Sequence, residues 1–267
     1  MSPVPATHLS RDQVANWPRE QPFTQADLYG LDLSGLDLQG RDFSKAILIR
    51  VKGCQANLSR ANFTGADLRG AELAGANLQG AILAQACLYR VNLNGADLRG
   101  ADLTDSQLDG AQYDSETQFP EGFAYRSCGA IGPTANLNGK PLNTANLKDA
   151  DLQGASLLGA YLTGADLTGA NLQGARLSGA DLRKALLTGA CLRNARLNGV
   201  NLKAADLRGA DLTGAEFETL EGIAGADFSQ VQGLTEAQRQ HLLRYPDLDL
   251  DTWNAFSRQT TRTSLEC

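Results

Sequence analysis

Aspartate is the residue in this chain best suited to chemistry, because carboxylates act as acids, bases and metal ligands. Aspartates recur at five-residue intervals, beginning with Asp27, Asp32, Asp37 and Asp42. Catalysis and metal binding need such groups to converge in a pocket, whereas this spacing distributes them along the chain. We therefore interpret them as solvated positions of a repeat, and we expect no catalytic residue, no cofactor site and no metal site.

Other sequence signals of catalysis are equally sparse. The two histidines, His8 and His241, lie near opposite ends of the sequence, and no His, Cys and carboxylate cluster has metal-ligand spacing. The sequence contains neither a GxxxxGKS or GxxxxGKT phosphate loop nor a GxSxG nucleophile motif. The chain is therefore expected not to be an enzyme.

The composition indicates which classes of partner to expect and in which compartment the chain would work. A formal net charge of −6 argues against binding nucleic acid through its phosphates, so no direct nucleic-acid contact is expected. No apolar run approaches the ~18 residues of a membrane span, and the start resembles no secretory signal. The five cysteines are odd in number and form no CxxC motif, which favours free thiols in a reducing cytoplasm.

The elements that position these residues follow from a period of five. An apolar residue, called the centre below, recurs every fifth position with a small residue two places before it, as in Ala66-Asp67-Leu68-Arg69-Gly70. One series of centres runs from Leu28 to Tyr113, and a second runs from Leu137 to Phe217. A period of five matches neither a strand nor a helix, and fixed self-similarity indicates stacked repeats.

The tandem pattern A-(D/N)-L-x-x resembles the pentapeptide repeat family. The resemblance implies an all-β fold, a right-handed quadrilateral parallel β-helix with four pentapeptides per coil. For this length it implies a solenoid of about nine coils. The segment from Thr117 to Phe123 resembles one found in cyanobacterial members, a few of which regulate development by binding other proteins. Other members of the family protect type II topoisomerases by mimicking DNA.

The breaks in the period divide the chain into five segments. They are an N-terminal cap (1–25), a first repeat segment (26–113), an interrupting connector (114–134), a second repeat segment (135–230), and a C-terminal capping helix with a tail (231–267). The two series of centres are out of phase, so we expect either one interrupted rod or two short rods joined through the connector.

The end segments are predicted to cover the exposed edges of the solenoid. Residues 9–17 are expected to form a short helix with a Ser10–Gln13 capping box, and Trp17 to cover the first coil. A second helix is predicted over 235–244. In the tail, Trp253 and Phe256 are expected to pack on the rod or on a second subunit, which would allow a homodimer through this segment, and the last residues are expected to be disordered.

Departures from the repeat supply the candidate binding sites. With four repeats per coil, residues 20 apart stack on one wall. The wall of Leu28, Leu48, Leu68, Leu88 and Leu108 then carries five outward apolar or aromatic residues, here called the aromatic patch: Tyr29, Ile47, Ile49, Cys87 and Tyr89. Exposed apolar patches mark interfaces. The alternative is that these residues pack along the β surface or under the N-terminal segment.

Two further groups of residues are candidate binding sites, each with a structural alternative. The arginine patch consists of Arg176, Arg183, Arg196 and Lys203, and stacking of its like charges predicts an anion or an acidic partner. The alternative is that these side chains extend into water, with Asp181 neutralising them. In the connector, Phe119, Phe123 and Tyr125 either seal the end of a coil or project for recognition, and Phe123 continues the first series.

Gly53 occupies a centre position and removes core volume, which predicts a local bulge rather than a site. Taken together, the sequence favours a non-enzymatic cytoplasmic protein-interaction or regulatory scaffold with an unidentified protein partner. The alternatives are a DNA-mimicking modulator of a type II topoisomerase such as gyrase, and a purely structural spacer. Acidic side chains seldom stack on this chain, which weakens the DNA-mimic hypothesis.

Overall fold

The structure is a computed structural model that describes residues 9–266. His8, Cys267 and the first part of the predicted N-terminal cap lie outside the described residues. The chain divides into two compact units, Met1–Ile131 and Gly132–Cys267, and each is a stack of short coils.

Unit 1 repeats its backbone geometry every 20 residues, with four bridged positions in each coil. Parallel bridges join residues of successive coils, as in the columns that start Asp27–Ile47–Asp67 and Asp32–Lys52–Glu72. The bridged residue is the one immediately before each centre. Hydrogen bonds run to both neighbouring coils: Asp67 N donates to Ala46 O (3.0 Å), and Leu68 N donates to Cys87 O (2.9 Å). Stacked coils are therefore paired as strands are, about 4.8 Å apart.

The centres and the small residues before them fill the interior. Leu68 is 1 % exposed and Leu167 is 0 % exposed, and the alanines two places earlier, Ala66 and Ala165, are equally buried. Each such leucine stabilises the fold by roughly 1.5–3 kcal/mol relative to exposure. The first series begins one repeat earlier than the sequence pattern indicated, because Phe23 is fully buried and stacks on Phe43 (ring centroids 5.0 Å apart).

The corners between walls require left-handed backbone. The residue two after nearly every centre has positive φ, such as +68° at Gly35, and this explains the recurrent glycines. Other residues adopt the same conformation, for example Arg50 and Arg90 (φ 56° and 57°). The predicted bulge at Gly53 is wrong: Lys52 and Glu72 keep the regular bridge, and an added Cβ would lie 2.9 Å from Leu73 Cδ2, so this leucine fills the space instead.

The helix and the capping box predicted near the N-terminus are present. Helix α1 (Arg11–Ala15) is capped by Ser10, and Gln13 completes the capping box. Trp17 lies 5.5 Å from Phe23 between ring centroids and so covers the first coil. Arg41 holds the segment that leads from helix α1 into the first coil, because its guanidinium donates to the carbonyls of Trp17 (2.5 Å) and Pro18 (2.7 Å).

The connector resumes the register at Phe119 rather than at Phe123. Gln118 bridges Asp97 at a spacing of 21 residues, which places Phe119 at a centre and corrects the assignment of Phe123 to the first series. The extra residue is accommodated by Asp114, whose Oδ1 accepts hydrogen bonds from Gly95 N (2.8 Å) and Thr117 N (3.0 Å). A 3-10 helix (Tyr125–Ser127) follows, and Ile131 closes the unit by bridging Gln112.

Unit 2 has the same 20-residue coil, seen in the column Asn136–Ser156–Arg176–Arg196–Glu216. After Phe217 one residue is inserted, because Asn201 bridges Gly222 at a spacing of 21. The repeat then continues with Ile223 and Phe228, which are buried at centre positions. The five-residue pattern in sequence missed these two centres because the insertion shifts their phase.

The C-terminal segment is ordered through residue 266 and contains three helices. Helix α2 (Glu236–Leu242) begins with the predicted Thr235–Gln238 capping box, and helices α3 (Asp247–Leu250) and α4 (Thr261–Glu266) follow. The expectation of disordered last residues is therefore wrong up to Glu266. Leu242, Leu250 and Leu265 are completely buried and anchor the three helices.

Trp253 and Phe256 do not pack on the solenoid, because each residue is 60 % exposed, while their packing on a second subunit stays a prediction. Asn254, which directly follows Trp253, is buried instead. Its Nδ2 donates to Gly225 O (2.7 Å), and its Oδ1 accepts from Phe256 N (2.8 Å) and Ser257 N (3.2 Å). The bond to Gly225 O, with a longer one to Ala205 O (3.5 Å), fastens the tail to the last coils, and the two bonds accepted by Oδ1 order the tail itself.

Replacing this amide tests how the tail is held. Asn254→Ala leaves Gly225 O without that donor, and an unsatisfied buried polar group costs about 1–3 kcal/mol. We expect faster proteolysis and faster hydrogen exchange over residues 252–266. Trp253→Ala is the matched control, and it should change neither rate. Equal protection in Asn254→Ala and the parent protein would contradict this account of the tail.

Candidate functional site

The aromatic patch lies on one wall of unit 1, in two adjacent columns. The first column contains the bridged residues Asp27, Ile47, Asp67, Cys87 and Gln107. The second lies two residues further along each coil, where Gly30 N donates to Ile49 O and Gly70 N donates to Tyr89 O, both at 2.9 Å. The fold therefore brings the five predicted residues to one surface.

The apolar side chains of the patch are open to solvent. Tyr29 is 49 % exposed, Ile47 40 % and Tyr89 38 %, while Ile49 and Cys87 are half-buried. Helix α1 does not cover them: Arg11 contacts Asp32 and Ser34 on the next wall, donating to Ser34 O at 2.7 Å. The described part of the N-terminal segment, residues 9–25, therefore leaves this patch uncovered.

An ion pair divides the patch, which sequence reasoning missed. Arg69 follows Ile49 in the second column, and its Nη2 lies 2.6 Å from Asp67 Oδ2 in the first column. The hydrogen bond from Arg69 lowers the pKa of Asp67. Tyr29, Ile47 and Ile49 lie on one side of this pair, and Cys87 and Tyr89 lie on the other.

Two arginines at the corner of the same wall were also missed. Arg50 and Arg90 directly follow Ile49 and Tyr89, and both are exposed at left-handed corners. The guanidinium of Arg90 lies 5.1 Å from the ring centroid of Tyr89, within the range of a cation–π contact. The signal in the sequence was arginine at a corner position where glycine is common. The wall therefore combines apolar and basic groups.

The arginine patch lies in unit 2 and is less uniform than its sequence indicated. Arg176 and Arg196 share a bridge, as the 20-residue spacing predicts, but Glu216 Oε2 lies 3.6 Å from Arg196 Nε. Asp181 pairs with Arg183 on the adjoining wall at 2.6 Å. A carboxylate therefore accompanies two of these cations, and the expected concentration of positive charge is reduced.

The connector aromatics pack on one another. The Phe119 ring stacks on Tyr125 (centroids 4.9 Å apart) and on Phe123 (5.7 Å), and Tyr113 meets Phe119 edge to face at 5.3 Å. All three connector rings are half-buried. This packing agrees with a sealing role, while a role in recognition stays a prediction.

The aspartates before the centres have a structural task that sequence reasoning did not identify. Their Oδ1 accepts a hydrogen bond from the backbone N–H two residues further on, as in Asp97 with Arg99 N (3.1 Å). Asn77 makes the same bond to Gln79 N (3.1 Å). Both residue types supply a short acceptor, which explains why Asp and Asn interchange at this position.

Many of these aspartates also carry an arginine partner from the same coil. Asp97 pairs with Arg99 at 2.6 Å, and Asp181 pairs with Arg183 at the same distance. These guanidinium hydrogen bonds lower the pKa of Asp97 to about 2 and the pKa of Asp181 to about 2. A third pair, Asp206 with Arg208, is also 2.6 Å apart, and Asp206 is buried. The walls are therefore less acidic than the aspartate content implies.

The groups that titrate or bind metals do not converge. Within residues 9–266 there is no set of three or more His, Cys, Asp or Glu side chains able to hold a metal ion. An open groove of about 420 Å³ beside α2 is lined by His241, Arg244 and Tyr245. The Tyr245 hydroxyl is already occupied there, because it donates to Leu220 O (2.9 Å) and accepts from Leu220 N (3.2 Å).

Four of the five cysteines lie within residues 9–266. Cys54, Cys87 and Cys191 are free, half-buried thiols. Cys128 is also half-buried, and its Sγ donates to Tyr125 O (3.1 Å). In residues 9–266 no helix combines the length and the apolar character needed to cross a bilayer.

The sequence matches a family described as pentapeptide repeats. Eight copies match, over residues 56–95, 90–112, 145–183 and 180–218. No curated protein matches the chain.

Three solved structures illustrate the relatives. Rfr23, a pentapeptide repeat protein from the cyanobacterium Cyanothece 51142, is 39 % identical; the match covers 35 % of this chain and 63 % of Rfr23, with a TM-score of 0.35. The chain thus spans somewhat less than two thirds of that relative. A pentapeptide repeat protein from Nostoc PCC 7120, alr5209, is 34 % identical over 41 % of this chain and 86 % of its own, with a TM-score of 0.26. HetL from Nostoc sp. strain PCC 7120, involved in heterocyst differentiation regulation, is 27 % identical over 84 % of this chain and 95 % of its own, with a TM-score of 0.28.

The lowered pKa values predict how stability depends on pH. A carboxyl with a folded pKa of about 2, against about 3.9 when unfolded, stabilises the fold above pH 4, and this contribution is lost as the pH falls to 2. We expect Asp97→Asn with Asp181→Asn to lower stability at pH 7 by about 1 kcal/mol per site, since both pairs are partly exposed. Asparagine keeps the backbone acceptor, so only the charge is removed.

Denaturant unfolding measured from pH 7 to pH 2 checks this expectation. The double variant should show a flatter decline between pH 4 and pH 2 than the parent protein. Asp27→Asn is the control, because Asp27 accepts the same backbone bond from Tyr29 N (3.1 Å) and makes no ion pair within residues 9–266. Parallel pH curves for the double variant and the parent would show that these pairs do not stabilise the fold.

Proposed function

Because the chain belongs to the pentapeptide repeat family, we propose that it is a non-enzymatic interaction scaffold that binds another protein through the aromatic patch. Membership implies a right-handed β-helical solenoid, which presents side chains on a rigid, regularly spaced surface. One wall of that solenoid carries the aromatic patch.

The observation that carries the proposal is the exposure of large apolar groups at positions that are polar elsewhere. Tyr29, Ile47 and Tyr89 are each more than a third exposed on a single wall. On the other walls of unit 1 the same positions are mostly polar, as at Asn57, Asn62 and Thr64. Ile82, 41 % exposed at a bridged position of another wall, is an isolated large apolar side chain there. Aromatic and arginine side chains are the groups enriched at protein interfaces, and both are present here.

The hydrogen-bonded coils favour binding by a preformed surface. Ile47 and Cys87 are each bonded to the preceding coil through both N–H and C=O, and the carbonyls of Ile49 and Tyr89 accept from the same coils. Little conformational entropy is therefore lost at these residues when a partner docks. A flat wall of this kind suits the surface of another protein better than a small substrate, which prefers a concave pocket. We therefore place the function in binding rather than in catalysis.

The ion pairs weigh against the topoisomerase alternative. A DNA mimic needs an uncompensated acidic surface, whereas Asp67, Asp97 and Asp181 are each neutralised by an arginine two residues away. A purely structural spacer would leave the exposed tyrosines without a purpose, and it predicts that no surface of the chain binds a partner.

Substitution of the patch tests the proposed function. Tyr89→Ser with Ile49→Ser removes apolar contact area without touching the buried centres, so the solenoid should stay folded. We expect at least a tenfold loss in capture of partner proteins by the immobilised full chain, as measured by quantitative mass spectrometry. Tyr161→Ser is the matched control, because this tyrosine is 54 % exposed in unit 2.

The outcome separates the three hypotheses. Unchanged capture by the double variant, with an intact circular dichroism spectrum, would remove the aromatic patch as the site. Capture of no protein by the parent chain would favour the spacer. Inhibition of gyrase supercoiling by the purified chain, equal in the parent and the double variant, would favour the topoisomerase alternative.

A further inference from the structure

The wall that carries the aromatic patch alternates in character from coil to coil. The coil of Ile47, Ile49 and Arg50 is apolar and basic, and two coils later Cys87, Tyr89 and Arg90 repeat that combination. The coils on either side of the first one carry Asp27 and Asp67 at the bridged position. The surface therefore has a period of two coils, about 10 Å at the spacing of paired strands.

The basic groups at this wall are available to a partner. Arg50 and Arg90 are exposed, and neither forms an ion pair within residues 9–266. They occupy corner positions next to Ile49 and Tyr89 respectively, and the Arg90 guanidinium lies over the Tyr89 ring. Arg69, between them along the wall, is neutralised by Asp67. One edge of the patch therefore carries two arginines without an acidic partner in residues 9–266, two coils or about 10 Å apart, on a chain whose net charge is −6.

From this arrangement we infer that the partner segment is an acidic amphipathic helix laid along the wall, with acidic residues at i and i+7. Two turns of α-helix advance about 10.5 Å, which matches the two-coil period of Arg50 and Arg90. The apolar residues at i+3 and i+4 would then lie midway, at the level of the coil of Arg69, and contact the facing edges of Ile49 and Tyr89. This inference rests on the proposed function, since it names the partner of the same site.

A nucleic acid fits the wall less well than an acidic helix. Asp27 and Asp67 lie in the bridged column beside the apolar groups, and a continuous phosphate backbone along the wall would pass both carboxylates. A helix places its acidic residues at discrete positions and meets Asp27 and Asp67 with polar or basic side chains. Charge complementarity therefore favours a peptide partner of mixed composition.

Synthetic 21-residue helical peptides test the inference on the full chain by fluorescence anisotropy. The first peptide has Glu at i and i+7 with Leu at i+3 and i+4, the second has Lys in place of Glu, and the third moves the same Glu residues to i and i+5. We expect the first peptide to bind about tenfold more tightly than either of the others. Equal binding of the three would overturn the inference.

Charge-reversal variants of the protein test the same inference from the side of the wall. Arg50→Glu with Arg90→Glu should lose about tenfold in affinity for the Glu peptide and gain affinity for the Lys peptide. Arg60→Glu with Lys184→Glu is the matched control, because both residues are exposed at left-handed corners and the net charge changes equally. Equal losses in the two double variants would mean that overall charge acts rather than this wall, and the inference would fail.

The remaining outcomes separate this inference from the proposed function. If Tyr89→Ser with Ile49→Ser abolishes protein capture while the peptides show no preference for acidic residues, the proposed function stands and the helix is rejected. A fluorescent oligo-dT that binds as tightly as the Glu peptide, and is lost on reversal of Arg50 and Arg90, would overturn the inference in favour of a phosphate-binding wall. Self-association in sedimentation velocity that the Tyr89 variant abolishes would overturn it in favour of a second copy.

Discussion

Burial of one large apolar side chain per pentapeptide, on a backbone bonded to the coils on both sides, is the constraint on which the rest of the structure depends. At Leu68 the side chain is buried, its own N–H donates to the following coil, and the N–H of Asp67 donates to the preceding coil. Neither interaction is stable alone, because a single coil can satisfy neither its apolar surface nor its backbone. Stacking satisfies both at once, and the outward residues are then free to vary.

Because the outward residues vary freely, the sequence predicts the repeat more completely than it predicts the candidate site. The centres from Leu28 to Tyr113 could be assigned from spacing alone, since a period of five with a small residue at a fixed offset has few other interpretations. The capping boxes at Ser10 and Thr235 were also readable, because they are local and involve residues three apart. Family membership followed from the same repeated residues.

The features that sequence reasoning missed depend on contacts that have no fixed offset. The insertion after Phe217 shifts the phase by one residue, and only the bridge from Asn201 to Gly222 shows where the repeat resumes. The tail is fastened by Asn254 rather than by its neighbouring aromatics, because a buried amide can bond three backbone groups there whereas an indole cannot. The aromatic patch was recognisable as a set, but its division by Arg69 and its corner arginines follow from side-chain directions that the pattern does not encode.

The regular bridge spacing has a consequence for how such a surface changes over time. Because equivalent residues recur after 20 positions, the loss or duplication of one whole coil rejoins the backbone without disturbing the core. The exterior is not equally tolerant. A wall with a two-coil period keeps its pattern when two coils are gained or lost, but a single coil brings two basic rows, or two acidic rows, side by side. Selection for binding can therefore act on whether coils are gained or lost in even or odd numbers. Selection for folding cannot, because the core is the same in both cases.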